Sequence, residues 1–205
     1  MPPGATMPII PPERSDEAVR ALLGGEVIAI PTDTVYGLAA SLDHPAAVLR
    51  LAELKGRAAD QPIAVLIDSA EAVTQQLDDP AALDRVRRHW PGALTAIVRT
   101  KPGFADAVTT EAQTVGLRVP DDDLARSVIR GCGGALAVTS ANRHDESPAT
   151  SAEGVAAIFG DELLILDGGP CDGGVASTVV DLTSDSPTVL REGAVTAREL
   201  GLQEV

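Results

Sequence analysis

Apolar runs of strand length recur along the chain and are separated by segments with helical periodicity. Residues 27–30 and 63–67 are continuous apolar runs, the pattern of strands that are buried on both faces. Further strands are predicted at 94–99, 115–119, 135–138, 163–166, 178–181 and 188–191.

Helical periodicity is clearest at 15–23, where acidic residues occupy the first turn and Gly24 and Gly25 follow the last. Residues 45–55 are also predicted to be helical, because their larger apolar side chains share one face. Shorter helices are predicted at 70–77, 80–89, 123–130 and 151–159, and a terminal helix begins at Thr196, which forms a capping box with Glu199.

Strands and helices alternate through most of the chain, but strands also follow one another directly toward its end. This order favours an α/β fold in which helices flank an open, twisted, mixed sheet rather than a purely parallel one. No repeat, low-complexity linker or charge block divides the chain, so we predict one domain. Residues 1–11 are expected to be a disordered lead-in and residues 12–205 to form the domain.

Composition and charge indicate what the core is made of and which kinds of partner are excluded. Of the 205 residues, 44% are hydrophobic and only 2% aromatic, so the core must consist mainly of Val, Leu, Ile and Ala. No apolar run approaches the roughly 20 residues that span a bilayer, and the first residues lack the pattern of a secretory signal. We therefore expect a cytoplasmic protein without a membrane partner. The net charge of −14 argues against an extensive nucleic-acid surface.

The standard metal and catalytic motifs are missing from the sequence. Cys132 and Cys171 lack C-x-x-C spacing, and His44, His89 and His144 are scattered, so we predict no metal site and two unlinked thiols. There is also no P-loop, no G-x-G-x-x-G after a strand and no G-x-S-x-G elbow.

Polar side chains instead follow the ends of predicted buried strands and helices, where open α/β sheets build ligand sites. A cluster of hydroxyl groups begins at Thr32, Lys55 and Arg57 end a helix, and Ser140 and Asn142 end a later strand. Two cations with hydroxyl and amide groups suit a polyanionic ligand at the rim of a pocket. The alternative is a solvated helix end and a polar strand exit. Both interpretations leave the two cations partly exposed.

One further cation is expected inside the fold. Arg118 ends an otherwise apolar strand, and a buried guanidinium group is costly without an anion partner. That anion is either an internal aspartate or the carboxylate of a ligand.

Seven motifs occur in order along the chain: Pro-Thr-Asp-Thr-Val-Tyr-Gly-Leu at 31–38, Lys-Gly-Arg at 55–57, Trp-Pro-Gly-Ala-Leu-Thr at 90–95, Arg-Val-Pro at 118–120, Thr-Ser-Ala-Asn at 139–142, Ser-Thr-Val-Val-Asp at 177–181 and Leu-Arg-Glu-Gly at 190–193. Together they resemble the YrdC-like domain family of threonylcarbamoyl-AMP synthases, in its short bacterial form. The resemblance runs from about residue 12 to the C-terminus. It implies a YrdC-like domain with a central ligand cavity.

The activity implied by the resemblance is that of an L-threonylcarbamoyladenylate synthase, a nucleotidyltransferase. Such an enzyme makes threonylcarbamoyl-AMP and pyrophosphate from L-threonine, bicarbonate or CO2, and ATP, with Mg²⁺ expected alongside ATP. Its product would pass to the downstream tRNA threonylcarbamoyl transferase machinery, which makes threonylcarbamoyladenosine. Positioning and charge stabilisation can carry this chemistry without a protein nucleophile.

The resemblance also implies a role for each matching residue. Threonine would contact Thr32, Arg118 and Ser177, with its carboxylate at Arg118. Tyr36 would line the pocket, and Trp90 would pack in the core. The residues implied for ATP are Lys55, Arg57, Thr114, Ser140, Asn142 and Arg191, of which Lys55, Arg57, Ser140 and Asn142 would also be catalytic.

The chain departs from the family pattern at a few positions. Family members commonly have Pro and His where this chain has Ala58 and Leu66, and residues 143–148 replace a loop close to Leu-Ser-Gly-x-Pro-Ser. Two alternative functions therefore stay open. One is a non-catalytic paralogue that binds nucleotide or double-stranded RNA, and the other is carbamoyl transfer to another acceptor.

Overall fold

The structure is a computed structural model that describes residues 9–56, 63–171 and 175–202, and in these residues ten strands form one sheet. The strands are β1 (Ile9–Ile10), β2 (Ile28–Ile30), β3 (Gly37–Ser41), β4 (Ala64–Ile67), β5 (Leu94–Arg99), β6 (Thr114–Arg118), β7 (Ala135–Ser140), β8 (Leu164–Leu166), β9 (Thr178–Asp181) and β10 (Thr188–Arg191).

Five α-helices and five 3₁₀ helices connect these strands in the described part of the chain. The α-helices are α1 (Ser15–Leu23), α2 (Pro45–Lys55), α3 (Asp123–Gly131), α4 (Ala152–Phe159) and α5 (Ala197–Leu200). The 3₁₀ helices are Pro12–Arg14, Ala70–Gln76, Pro80–Arg85, Arg87–His89 and Gly160–Glu162. No helix among the described residues is long and apolar enough to cross a membrane.

The strand order across the sheet is β1-β8-β2-β3-β7-β4-β6-β5-β9-β10. Strand β8 pairs in parallel with β1 and β2, and the pairs β4/β6 and β5/β9 are also parallel. The remaining pairs are antiparallel. The prediction of a single α/β domain with a mixed sheet is therefore confirmed.

Three clusters of buried apolar side chains hold the helices to the sheet. Helices α2 and α4 pack on one face of β2, β3 and β8, while α1 and α3 pack on the opposite face. Alternate residues of β2 serve the two faces: Ala29 joins the first cluster, and Ile28 and Ile30 join the other. The 3₁₀ helices at 70–76 and 80–85 cover one face of β4, β5 and β6. The opposite face of β5 and β6 borders a cavity.

Local signals explain why several helices begin and end at the predicted residues. Helix α2 begins with Pro45 and ends at Lys55. It is followed by Gly56, whose backbone φ of +65° favours glycine and whose N–H bonds to the carbonyls of Ala52 and Glu53. The Ser151 side chain caps α4, and the predicted capping box of Thr196 and Glu199 is present at α5.

Three features differ from the sequence predictions. Residues Ile9–Ile10 form β1 instead of lying in a disordered lead-in, because they pair with β8 and bury Ile10; residues 1–8 lie outside the described part of the chain. Strand β3 was not predicted. The segments 70–77 and 80–89 form three 3₁₀ helices instead of two longer helices.

The edge strand β10 is irregular. Thr188 and Val189 pair with Asp181 and Val180, but the next pair is Arg191 with Val179, so Leu190 is an extra residue in this strand. The irregularity is a β-bulge.

The first prediction tests the packing of β1. Ile10→Ala should lower the free energy of unfolding by about 2–5 kcal/mol, because it leaves a cavity at a fully buried position. Ile9→Ala is the matched control, since Ile9 is 41% exposed and a change there should cost no more than about 0.5 kcal/mol. Urea denaturation of both variants makes the comparison. Equal, small losses would show that β1 is not packed on the sheet.

Candidate active site

A cavity of about 510 Å³ lies over the sheet where β4, β6, β5 and β9 meet the turn after β2. Strand alternation decides which side chains face it. In β5, Thr95 and Ile97 line the cavity while Leu94, Ala96 and Val98 point into the core. The neighbouring strand β6 gives Thr114, Gly116 and Arg118 to the same wall.

Arg118 is buried in this wall, with 7% of its surface exposed. Its Nε donates to the Gly92 carbonyl at 3.0 Å, one terminal nitrogen donates to Thr34 Oγ1 at 3.0 Å, and the other forms an ion pair with Asp33 Oδ1 at 2.6 Å. Of the two partners that the sequence left open, the internal aspartate is therefore present. Each terminal nitrogen keeps a second N–H beyond these bonds, so a ligand carboxylate could still bind.

The turn that carries Asp33 is held by hydroxyl groups. Thr32 Oγ1 donates to the Val35 carbonyl at 2.6 Å and lies 3.1 Å from Thr34 Oγ1. It also accepts the backbone N–H groups of Thr34 and Val35. Thr32 and Thr34 both line the cavity, and both are buried. Sequence reasoning selected only Thr32; the signal for Asp33 and Thr34 was their place beside it in the same motif.

Lys55, Ser140 and Asn142 come together as predicted, but Lys55 is only 5% exposed, so the expectation of partial exposure was wrong for it. Its Nζ contacts the carbonyl and Oγ of Ser140 at 2.8 and 3.2 Å. It also contacts the carbonyl and Oδ1 of Asn142 at 3.3 and 2.7 Å. These four oxygens keep the ammonium group inside the protein. Ser140 lines the cavity, with Lys55 and Asn142 packed behind it.

Asn142 has hydrogen bonds on both sides of its amide. Its Oδ1 accepts from Lys55 and from Ser140 Oγ, the latter at 2.6 Å, and its Nδ2 donates to the carbonyls of Arg143 and Glu146. Asn142 thus positions Ser140, Lys55 and the following loop.

A third polar group lies near Arg118. Ser177 Oγ is 2.9 Å from Thr95 Oγ1, and Arg191 donates to the Ser177 carbonyl at 2.8 Å. By strand register, Arg191 pairs with Val179, which pairs with Thr95. Arg191, predicted to contact ATP, therefore stands beside Ser177, which was predicted to contact threonine. Thr95 was not selected as a site residue; the signal for it was its place at the end of the 90–95 motif.

The register also separates the two main polar groups. Leu66 of β4 is paired with Arg118 of β6 on one side and with Leu136 of β7 on the other. Ser140 lies four residues beyond Leu136 along β7. At a rise of about 3.3 Å per residue, this places Ser140 roughly 13 Å from Arg118 along the strand direction. Thr114, predicted to contact ATP, starts β6 at the Ser140 end and shares a 2.6 Å hydroxyl contact with Thr110.

Tyr36 connects the cavity to the core. Its side chain is fully buried, and its hydroxyl donates to the Gly169 carbonyl at 2.8 Å and accepts the Gly168 N–H at 3.1 Å. Burial raises the pKa of Tyr36 to about 12, with the Gly168 N–H acting in the opposite direction. Tyr36 also lines the cavity, as the resemblance implied.

The chain's one tryptophan, Trp90, packs against the core.

Two departures from the family pattern can be located. Leu66 lines the cavity and adds an apolar patch to it. Asp145 has a φ of +61° at the position where the family pattern has glycine, and aspartate is one of the residues that tolerate this conformation. Arg57 and Ala58 lie outside the described residues. Within the described ranges, no three His, Cys, Asp or Glu side chains gather as metal ligands would.

The geometry defines an α/β domain with a cavity whose wall carries Arg118 and several hydroxyl groups, and comparison with known proteins identifies its family. A family model described as "Telomere recombination", for the Sua5, YciO and YrdC proteins, matches residues 20–193. The chain belongs to this family.

Individual relatives support the same family. The chain is 39% identical over 189 residues to the threonylcarbamoyl-AMP synthase of Bacillus subtilis, covering 90% of this chain and 54% of that protein. It is 36% identical to that of Chromohalobacter salexigens, covering 84% of this chain and 94% of the relative. The structure of Pyrococcus abyssi Sua5 complexed with L-threonine matches with a TM-score of 0.88 at 33% identity, covering 94% of this chain and 59% of that chain. The chain thus spans about half the length of the Bacillus relative.

The second prediction concerns the only tyrosine of the chain. Tyr36 should ionise at a pH of about 12 in the native protein, whereas the unfolded chain should titrate at about 10. Because the pKa of Tyr36 is higher in the folded state, its contribution to the free energy of unfolding is fully present below pH 10. This contribution falls as the pH rises toward 12. Near-ultraviolet absorbance follows the ionisation, and Tyr36→Phe should remove it. Native titration near pH 10 would contradict the burial of this hydroxyl.

Proposed function

We propose that this chain is an L-threonylcarbamoyladenylate synthase, a nucleotidyltransferase that joins L-threonine, bicarbonate or CO2, and ATP. The observation that carries the proposal is a cavity with separate polar groups, one around Arg118 and one around Ser140 and Lys55, in a chain whose relatives bear this name. Threonine's carboxylate and the nucleotide phosphates are both anionic, so their joint binding needs two such groups.

The group around Arg118 would bind threonine. Its guanidinium is fixed by three internal partners and keeps N–H groups for a carboxylate, while Thr32 and Ser177 supply hydroxyl oxygens nearby. The similar Pyrococcus abyssi Sua5 structure is complexed with L-threonine, which supports threonine as a substrate of this chain.

The group around Ser140 would bind the phosphates of ATP. Ser140 presents its side chain to the cavity, with the positive charge of Lys55 directly behind it. Arg57, Thr114 and Asn142 complete the set that the resemblance implies at this end, and Arg191, which stands beside Ser177, would contact ATP from the Arg118 side of the cavity. The carbamate, formed from threonine's amine and bicarbonate with loss of water (or from CO2 with loss of a proton), would attack the α-phosphorus and expel pyrophosphate, and the cations would offset the negative charge that develops.

The remaining partners follow from this reaction. The described residues do not form a protein cage for Mg²⁺, so a metal would be held chiefly by the ATP phosphates. The product would be passed to the tRNA threonylcarbamoyl transferase machinery, and the enzyme would act in the cytoplasm.

The third prediction tests the reaction itself. Pyrophosphate release from ATP should require both threonine and bicarbonate, and serine should support it much less well. A coupled phosphate assay with pyrophosphatase measures this, with each substrate omitted in turn. Binding of ATP without any turnover would favour the non-catalytic alternative. Pyrophosphate release that requires a carbamoyl donor such as carbamoyl phosphate, in place of threonine and bicarbonate, would favour transfer of a carbamoyl group to another acceptor.

The fourth prediction separates the two polar groups. Arg118→Lys keeps the charge but loses the fork that bonds Asp33 and Thr34 together, so threonine affinity should fall about tenfold or more. ATP affinity should change little, because the phosphates would bind at the other end of the cavity. Calorimetric titration of both ligands measures the split. The control is Arg130→Lys, at an exposed arginine paired with Asp68. A loss confined to ATP would place the phosphates at Arg118.

A further inference from the structure

The C-terminal end of α2 is bound by the loop that follows β7. The last carbonyls of a helix have no partner within it. The Leu54 carbonyl receives a hydrogen bond from Arg143 Nη1 at 2.7 Å, and the Lys55 carbonyl receives one from the His144 N–H at 2.7 Å. A cation at this end is also favoured by the helix dipole.

Arg143 is itself held from the other side. Its Nη2 forms an ion pair with Glu162 at 2.8 Å, and its guanidinium carbon lies 4.8 Å from the centre of the Phe159 ring. Phe159 ends α4 and is fully buried, so it provides a fixed support. The guanidinium group therefore joins the ends of α2 and α4.

The same loop holds the far end of the Lys55 side chain. The ammonium group contacts oxygens of Ser140 and Asn142, and Asn142 Nδ2 donates to the Arg143 carbonyl at 2.7 Å. The Lys55 carbonyl is thus held by the His144 N–H, the preceding Leu54 carbonyl by Arg143, and the Lys55 ammonium group by residues 140 and 142. A substitution of Arg143 should therefore change how firmly Lys55 is held in place, although the two side chains are not in direct contact.

We propose that Arg143 is a positioning residue for Lys55: by binding the Leu54 carbonyl it fixes the end of α2 and so sets the ammonium group against Ser140. The proposal deepens the proposed function, on which its consequence for ATP rests. None of the substrates is expected to contact Arg143, which does not line the cavity.

The first test does not depend on any substrate. The chain has only two lysines, the buried Lys55 and the exposed Lys101, so acylation by an N-hydroxysuccinimide ester can be read at each by peptide mass spectrometry. In Arg143→Leu, the Lys55 acylation rate should rise about tenfold, the size expected for loss of a charge-assisted hydrogen bond. Lys101 should react at the wild-type rate. Arg143→Lys, which keeps the positive charge and a donor group but loses the planar fork, should restore much of the protection.

The second test reads the effect on ATP. Arg143→Leu should raise the KM for ATP about tenfold, with a smaller change in kcat and with threonine affinity unchanged. Arg130→Leu is the matched control, because it removes another arginine that lies in the last turn of a helix and forms an ion pair with a carboxylate. It should leave both Lys55 acylation and the KM for ATP as in the wild type.

Unchanged Lys55 acylation in folded Arg143→Leu would overturn the proposal. If circular dichroism shows that this variant does not fold, Arg143→Met decides by the same criterion, since its side chain is unbranched but has no N–H to donate to the Leu54 carbonyl. If wild-type protein neither binds nor uses ATP, the proposed function fails, while the acylation rates still decide whether Arg143 positions Lys55. Faster acylation with an unchanged KM for ATP would overturn the link to phosphate binding.

Discussion

Two buried cations determine how the loops around the cavity are built. A charged group can stay out of water only if oxygen atoms or anions surround it. Lys55 takes its oxygens from residues 140 and 142, and Arg118 takes its partners from the turn after β2 and from Gly92. Each cation therefore joins segments that are far apart in sequence. The groups available to attract an anionic ligand are the same groups that hold the cavity walls together.

The α-helices were predictable because the signals for their ends are local. Gly24, Gly56 and Ser151 mark helix ends within a few residues, and α1 and α2 begin and end at the predicted residues. Strand β3 could not be predicted in this way, since Gly-Leu-Ala-Ala-Ser has little intrinsic strand preference. It is a strand because β2 and β7 pair with it on both sides. The two residues of β1 likewise depend on β8, more than 150 residues away in the chain.

The candidate site was predictable in its residue types but not in its contacts. The motifs located Lys55, Ser140, Asn142 and Arg118, and the structure places all four at or directly behind the cavity wall. The burial of Lys55 depends on oxygens 85 and 87 residues away, and the Asp33 partner of Arg118 is 85 residues away. Such pairings are decided by how strands stack side by side, which no short window of sequence contains.

The bulge in β10 shows that the register of an edge strand, and not only its composition, can determine a site. Directly paired residues in neighbouring strands point to the same face of a sheet. Because Leu190 is unpaired, Arg191 lies opposite Val179, which faces the cavity. If Leu190 were paired in a regular strand, Arg191 would lie opposite Thr178, which is buried on the other face, and its guanidinium group would turn away from the cavity. Two relatives can therefore share this arginine in an alignment and differ in whether it reaches a ligand, depending on whether the edge strand is bulged.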